Sequence, residues 1–116
     1  MNTGISKMTE IIFFKNDKDQ IKKFEVRGHA DLDIKGKDVL CAAVSTLASH
    51  TIGAIQEFTN EPCLNTIDEE NAKVIFSLSE DEPCEIASAF LNAFASSSEE
   101  LAYVYPENIR VEYKEI

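Results

Sequence analysis

The fold class is decided by residues 9–28, TEIIFFKNDKDQIKKFEVRG, and by residues 39–59, VLCAAVSTLASHTIGAIQEFT. In the first segment the apolar, β-prone residues 9–15 precede the turn residues 16–19 and a second run, 21–28, where Phe24 and Val26 alternate with charged neighbours. This pattern predicts a β-hairpin. In the second segment apolar residues recur at steps of three and four, which predicts a helix over 39–59 with Asp38 as its N-cap.

The remaining sequence continues with the same two kinds of element. Residues 60–62 end the helix, and residues 64–68 and 72–79 form a second predicted hairpin around a turn at 69–71. Pro83 fits the start of a second helix that ends near Tyr103. Its predicted core face consists of Ile86, Phe90, Phe94 and Leu101. Residues 109–114 alternate as a half-buried strand does.

The resulting order, ββαββαβ, predicts an α+β fold. In such a fold both helices pack on one face of a mainly antiparallel sheet, and the other face of the sheet can contact water. The 116 residues, of which 44% are hydrophobic, are expected to form a single domain over 1–116.

Charge and composition restrict the partners. The chain has 11 Lys+Arg against 21 Asp+Glu and a formal net charge of −10, which argues against direct nucleic-acid binding because that affinity comes chiefly from Lys and Arg. The N-terminal residues show no apolar export signal, so the cytoplasm is the expected location. Residues 39–56 lack charge, but Ser, Thr and His interrupt them, so no membrane association is expected.

The first helix carries almost no charge until Glu57. Packing of one helix face against the sheet does not explain this lack of charge. A second face buried against the same helix of another subunit would explain it. The small residues that would allow close approach are Ala42, Ala43, Ala48 and Ala54. We therefore predict a homodimer through the first helix; the alternative is a Ser/Thr-rich face in contact with water.

Reactive residues concentrate in residues 28–45, GHADLDIKGKDVLCAAVS. With Asp38 as N-cap, Cys41 is the third helical residue, where unpaired N–H groups and the helix dipole favour a thiolate. The same N–H groups could stabilise the oxyanion that forms when a thiolate attacks a carbonyl. The alternative for Cys41 is a small, buried apolar residue.

A nucleophilic cysteine needs a base, and the chain has two histidines. His50 is nine residues further along the same helix, about 13.5 Å away in rise and half a turn in azimuth, so its ring cannot reach Cys41. His29 can do so if residues 30–37, a polar loop with the composition of a mobile flap, fold back. Three carboxylates could orient its ring: Asp31, Asp33 and Asp38.

The cysteines do not indicate a disulfide framework or a metal. Cys41, Cys63 and Cys84 are odd in number and widely spaced. Together with His29 they lack the close ligand spacing of a zinc site, so we expect no metal and no cofactor. Cys63 and Cys84 are interpreted as structural thiols.

Gly28-His29-Ala30, followed after a short loop by residues 36–45, GKDVLCAAVS, resembles the ribosomal-processing cysteine protease family, called Prp. The resemblance implies a fold of this α+β type, an expected dimer and a Cys/His dyad. It also implies a substrate: the family removes a short N-terminal extension from bacterial large-subunit ribosomal protein twenty-seven.

Carried over by position, the resemblance makes Cys41 the nucleophile and His29 the general base and acid. Asp38 and Ser45 match the motif as candidate supporting groups. The family commonly has Gly after His-Ala, where this chain has Asp31. A Cβ there could stiffen the loop, and its charge would stabilise the charged imidazole.

Two other interpretations remain at this stage. The chain could be a non-catalytic dimeric module that binds a basic ribosomal or other protein, with Cys41 only packing the helix start. It could also be a thiol redox sensor that forms a sulfenate or mixed disulfide and cleaves no peptide. Selective alkylation of Cys41 near neutral pH would distinguish an activated thiol from a packing thiol.

Overall fold

The computed structural model describes residues 8–28, 35–68, 70 and 73–116, with side chains for all of these except residues 35–38. In chain order its elements are β1 (Thr9–Lys15), β2 (Ile21–Arg27), α1 (Lys35–Phe58), β3 (Cys63–Asp68), β4 (Lys73–Leu78), α2 (Glu85–Val104) and β5 (Ile109–Glu115). The predicted order ββαββαβ and the α+β class are confirmed.

The five strands form one sheet with the order β3-β4-β2-β1-β5. All neighbouring pairs are antiparallel except β1 and β5, which are parallel. A shift of register between Phe14 and Lys15 places Lys15 opposite Ile21, so Lys22 is an extra residue on β2. Because β1 and β5 are parallel, Thr9 and Ile109 begin both strands at the same end of the sheet.

Both helices cover the same face of this sheet. Phe13 of β1 contacts Phe94 of α2, with ring centroids 5.4 Å apart. Thr9, which lies on the same face as Phe13 because strand side chains alternate, contacts Cys41 of α1. The core between the layers is rich in aromatic and branched side chains: Ile11, Phe13, Phe24, Phe76, Val44, Ile55 and Leu91.

Helix α1 begins earlier than the sequence predicted. It begins at Lys35, so Asp38 lies inside the helix and not at its N-cap, and it ends at Phe58. Lys35 and Lys37 are good helix formers, and nothing about Asp38 prevents the helix from extending toward them. Gly36 lies in this first turn although glycine is a poor helix former.

Among the described side chains of α1, residues 39–58, the buried ones lie on one face. Val39–Phe58 has the length and mean hydropathy, 1.4, of a membrane span, but its apolar stripe of Val44, Ile52 and Ile55 belongs to the core shared with the sheet. The opposite face is exposed and small or polar: Ala42, Ser45, Thr46, Ser49 and His50. Ala48 and Ala54 are buried within the chain, so the prediction that they line a subunit contact is wrong.

Other element boundaries in the structure differ from the predicted ones by a few residues. Helix α2 has Cys84 as its N-cap and begins at Glu85, so Pro83 precedes the cap. Ile86 is exposed, and the buried face of α2 is formed by Ala87, Leu91, Phe94, Ala95 and Ser98. In the predicted turn at 69–71, only residue 70 lies within the described part of the chain.

Candidate active site

Cys41 lies on the side of α1 that faces the sheet. Its side chain is half-buried, and its Sγ is 3.5 Å from the Oγ1 of Thr9, the first residue of β1. Thr9 is buried, and its backbone N–H donates to the carbonyl of Asn108 at 2.8 Å. The thiol is therefore positioned against the end of the sheet where β1 and β5 begin.

The start of α1 does not activate Cys41 in the predicted way. Cys41 is six residues after Lys35 and about 9 Å along the axis from the helix start. The unpaired N–H groups belong to the first four helical residues, 35–38, and the dipole effect falls off within the first turn. The prediction that Cys41 is the third helical residue is wrong because the helix begins before Asp38.

The end of β2 lies close to this thiol. Arg27, the last residue of β2, pairs with Glu10, the residue after Thr9, and the Thr9 hydroxyl contacts Cys41. Arg27 is therefore about one strand spacing, 4.5–5.5 Å between Cα atoms, from the residue that follows Thr9.

The other predicted site residues are described to different extents. His29, Asp31 and Asp33 lie outside the described residues. The backbone of Asp38 is helical, but its side chain is not among those described. Ser45 is exposed on α1, one turn after Cys41.

His50 is exposed on α1. Because α1 is continuous from Lys35 to Phe58, the nine-residue separation corresponds to about 13.5 Å of rise. The prediction that His50 is too distant to serve Cys41 is therefore confirmed.

The other two thiols lie away from this end of the sheet. Cys63 begins β3 and receives a weak contact, 3.9 Å, from Nε2 of Gln56. Cys84 caps α2: its Sγ accepts from the backbone N–H of Ala87 at 3.5 Å, and its own N–H donates to Glu61. Among the residues that the structure describes, no three His, Cys, Asp or Glu side chains are grouped as metal ligands.

A shallow apolar groove of about 700 Å³ runs between the two helices. Its apolar lining comes from Val39, Ala42, Ala43 and Leu47 of α1 and from Leu101 and Val104 of α2. Ala43 is two residues after Cys41, hence rotated by about 200° around the helix axis. The groove therefore opens on the side of α1 away from the thiol, and sequence reasoning did not find it because it depends on how α2 packs against α1.

The family model for the cysteine protease Prp matches residues 8–110, which include β1, the thiol-bearing part of α1 and the start of β5. The chain belongs to the Prp family of cysteine proteases. It is therefore a cysteine protease, as predicted, and this result disfavours the non-catalytic module.

Solved structures agree with the family assignment. The S. aureus ribosomal processing protease Prp with a covalently linked product peptide is 25% identical, with a TM-score of 0.81 over 92% of this chain and 100% of that one. The same S. aureus protease with a substrate peptide gives 25% identity and a TM-score of 0.84 over the same shares.

A third solved structure supports the similarity of fold only. The protein SMU.848 of Streptococcus mutans is 24% identical, with a TM-score of 0.87 over 98% of this chain and 100% of that one. No curated protein matches the chain.

Proposed function

We propose that this Prp-family protease is an endopeptidase of ribosome maturation, which removes the short N-terminal extension of bacterial large-subunit ribosomal protein twenty-seven through a dyad of Cys41 and His29. The observation that carries the proposal is the position of Cys41, half-buried beside the start of β1 and within the matched family region. The S. aureus relative is a ribosomal processing protease that holds a covalently linked product peptide.

The end of β2 supports His29 as the base. β2 ends at Arg27, which pairs with Glu10, the residue after Thr9, and Thr9 contacts the Cys41 sulfur. In sequence, His29 comes two residues after Arg27, the last residue of β2. His50, the other histidine, is excluded by its distance along α1.

The proposed reaction has two stages. His29 accepts the proton of the Cys41 thiol, the thiolate attacks the scissile carbonyl carbon, and the protonated imidazole then gives that proton to the leaving amine. The mature ribosomal protein leaves, and the extension stays bound to Cys41 as a thioester. Water, deprotonated by His29, attacks the thioester and releases the extension as a carboxylic acid, and the thiolate recovers the proton.

The direct test is intact-mass analysis of the extended ribosomal protein after incubation with the native chain, Cys41→Ala and His29→Ala. Cys84→Ala is the matched control, because Cys84 is an exposed thiol at the cap of α2. We expect one truncated product with the native chain and the control, and none with the other two variants. Cleavage by Cys41→Ala, or an intact substrate after incubation with the native chain, would contradict the proposal.

We further propose that the chain is a homodimer that buries the groove between α1 and α2. Val39 and Val104 line this groove and are 68% and 58% exposed in the single chain. Ala42 and Ala43 leave room for a helix to approach closely. Burial of this face in a second copy would explain the lack of charge in residues 39–56 of α1.

Sedimentation velocity tests the dimer. Ala42→Glu places a charge in the groove at an exposed position and should give monomers, whereas Asn92→Glu, exposed on α2 and rotated by about 140° from the groove residue Ser97, should leave the dimer unchanged. A native chain that sediments as a monomer, or an Ala42→Glu variant that remains dimeric, would overturn this interface.

A ribosomal substrate implies that the protease acts in the cytoplasm, where ribosomal proteins are assembled. Fractionation of cells that produce the native chain should place it in the cytoplasmic fraction. Recovery in the exported fraction would contradict that location.

A further inference from the structure

The buried hydroxyl of Thr9 is bonded to the sulfur of Cys41. The two atoms are 3.5 Å apart, and this is the one side-chain hydrogen bond of Thr9 within the described part of the chain. Thr9 is 3% exposed and shares a sheet face with Ile11 and Phe13, both fully buried and apolar. A hydroxyl in this setting costs free energy unless it is bonded.

The strength of this bond depends on the charge of the sulfur. A neutral thiol is a weak acceptor and a weak donor, so the bond adds little to the stability of the resting protein. Valine has nearly the shape of threonine and would fill the same space without a polar atom. A thiolate, in contrast, can only accept, and a hydroxyl that donates to a charged acceptor makes a much stronger hydrogen bond.

We propose that the Thr9 hydroxyl donates a hydrogen bond to the Cys41 thiolate and so favours the reactive form of the nucleophile. This inference rests on the proposed function in that it takes Cys41 as the nucleophile. It assigns to β1 part of the stabilisation that the sequence had attributed to the start of α1.

The fold holds Thr9 in a suitable position. Its N–H donates to the Asn108 carbonyl at 2.8 Å, and Thr9 pairs with Ile109 of β5. Its β-branched side chain has few rotamers. The hydroxyl is thus fixed before substrate arrives, and stabilising the thiolate requires no rearrangement of the strand.

The charged side chains described near the Thr9–Cys41 contact lie on the opposite face of the sheet or on the other side of α1. Glu10 and Arg110, which follow Thr9 and Ile109, are on the opposite face of the sheet, where Nη1 of Arg110 is 3.3 Å from Oε2 of Glu10. The described α1 side chains around Cys41, residues 39–45, are uncharged. Glu100 of α2 lines the groove on the other side of α1.

The test is the pH dependence of alkylation of Cys41 by iodoacetamide, followed by peptide mass spectrometry in the native chain, Thr9→Val, Thr9→Ala and Thr9→Ser. Removing the hydroxyl should raise the midpoint for Cys41 by about one pH unit and slow alkylation near pH 7 about tenfold. Thr9→Ser keeps the hydroxyl and should restore the native midpoint. Cys63 and Cys84 in the same samples should be unaffected and serve as internal controls.

An unchanged midpoint in both Thr9→Val and Thr9→Ala would overturn the inference. So would a lower midpoint, which would show that the thiol donates to the Thr9 oxygen. Thermal unfolding of each variant establishes that the chains compared are folded, and the two substitutions differ in how much of the side chain they retain. The alkylation profile needs no ribosomal protein, so failure to cut the extended substrate would overturn the proposed substrate and leave the Thr9 result standing.

Discussion

At the scale of single residues, the Cys41 thiol contacts a residue that lies far from it in sequence. Thr9 and Cys41 are 32 residues apart in sequence yet in contact. The sequence identified Cys41 because the motif around it is distinctive, but a threonine at the start of a predicted strand carries no signal of its own. The role proposed for Thr9 follows from the structure, in which β1 packs against α1.

A second residue-scale feature is Tyr113, whose hydroxyl is bonded to the carboxylate of Glu99. Burial raises the pKa of Tyr113 above its ordinary value, and the hydrogen bond and charge of Glu99 raise it further. The unfolded chain therefore loses this proton near pH 10 while the folded chain keeps it. Stability from this group is fully present below pH 10 and is lost as the pH rises toward the folded-state pKa.

We accordingly expect the free energy of unfolding to fall between pH 9 and pH 11 more steeply in the native chain than in Tyr113→Phe. Urea denaturation at the two pH values measures the difference, and the variant controls for all other groups that titrate in this range. Equal slopes in the two proteins would show that the raised pKa does not contribute to folding.

At the scale of elements, local patterns predicted some boundaries well and others poorly. The span of β1 was predicted correctly because apolar residues run up to an unambiguous turn at Asn16. The start of α1 was missed because Asp38 fits the N-cap preference, whereas the helix extends through Gly36 to Lys35. Capping preferences are weak compared with the propagation of a helix that has already formed.

The N-cap of α2 offers a stabilising substitution. The Cys84 sulfur accepts from the Ala87 N–H at 3.5 Å, and a serine oxygen is a stronger acceptor at this position. Cys84→Ser should therefore raise the free energy of unfolding by about 0.5–1 kcal/mol, measured by urea denaturation. If Cys84→Ser is no more stable than Cys84→Ala, the cap contributes nothing.

Phe94 is the buried aromatic side chain through which α2 contacts the rings of the sheet. The Phe94 ring meets Phe13 and Phe24 edge-on, with centroids 5.4 Å and 4.8 Å apart. Phe94→Ala should lower the free energy of unfolding by about 3–5 kcal/mol, a large part of the total for a domain of this size. Tyr103→Ala, at a site 87% exposed on the same helix, should change it by less than about 0.5 kcal/mol; equal losses would contradict this packing.

At the scale of the whole molecule, the layers were predictable and the order of the strands was not. The alternation of residues 109–114 predicted a strand, but nothing in that segment indicates that it lies parallel to β1 at the sheet edge. Pairing of strands about 100 residues apart depends on where α2 returns the chain. For the same reason, the sequence does not show how the end of β2, which precedes the proposed base His29, is placed relative to Cys41.

The net charge of −10 also acts at this scale. Ribosomal proteins are typically basic, and opposite charges speed encounter. We expect cleavage of the full-length ribosomal protein to slow as salt is raised, with little effect on a short neutral peptide that carries the same cut site. Initial rates at low and high salt measure this, and identical salt responses of the two substrates would show that charge steering is absent.

In the proposed reaction, the Cys41 sulfur attacks the substrate peptide. Its most direct test is a peptide mass map of the native chain after reaction with a vinyl sulfone built on the N-terminal extension. We expect one adduct, on the peptide that contains Cys41, and its suppression by excess unmodified extension peptide. An adduct on Cys63 or Cys84 with Cys41 unlabelled, or labelling that the extension peptide does not suppress, would contradict it.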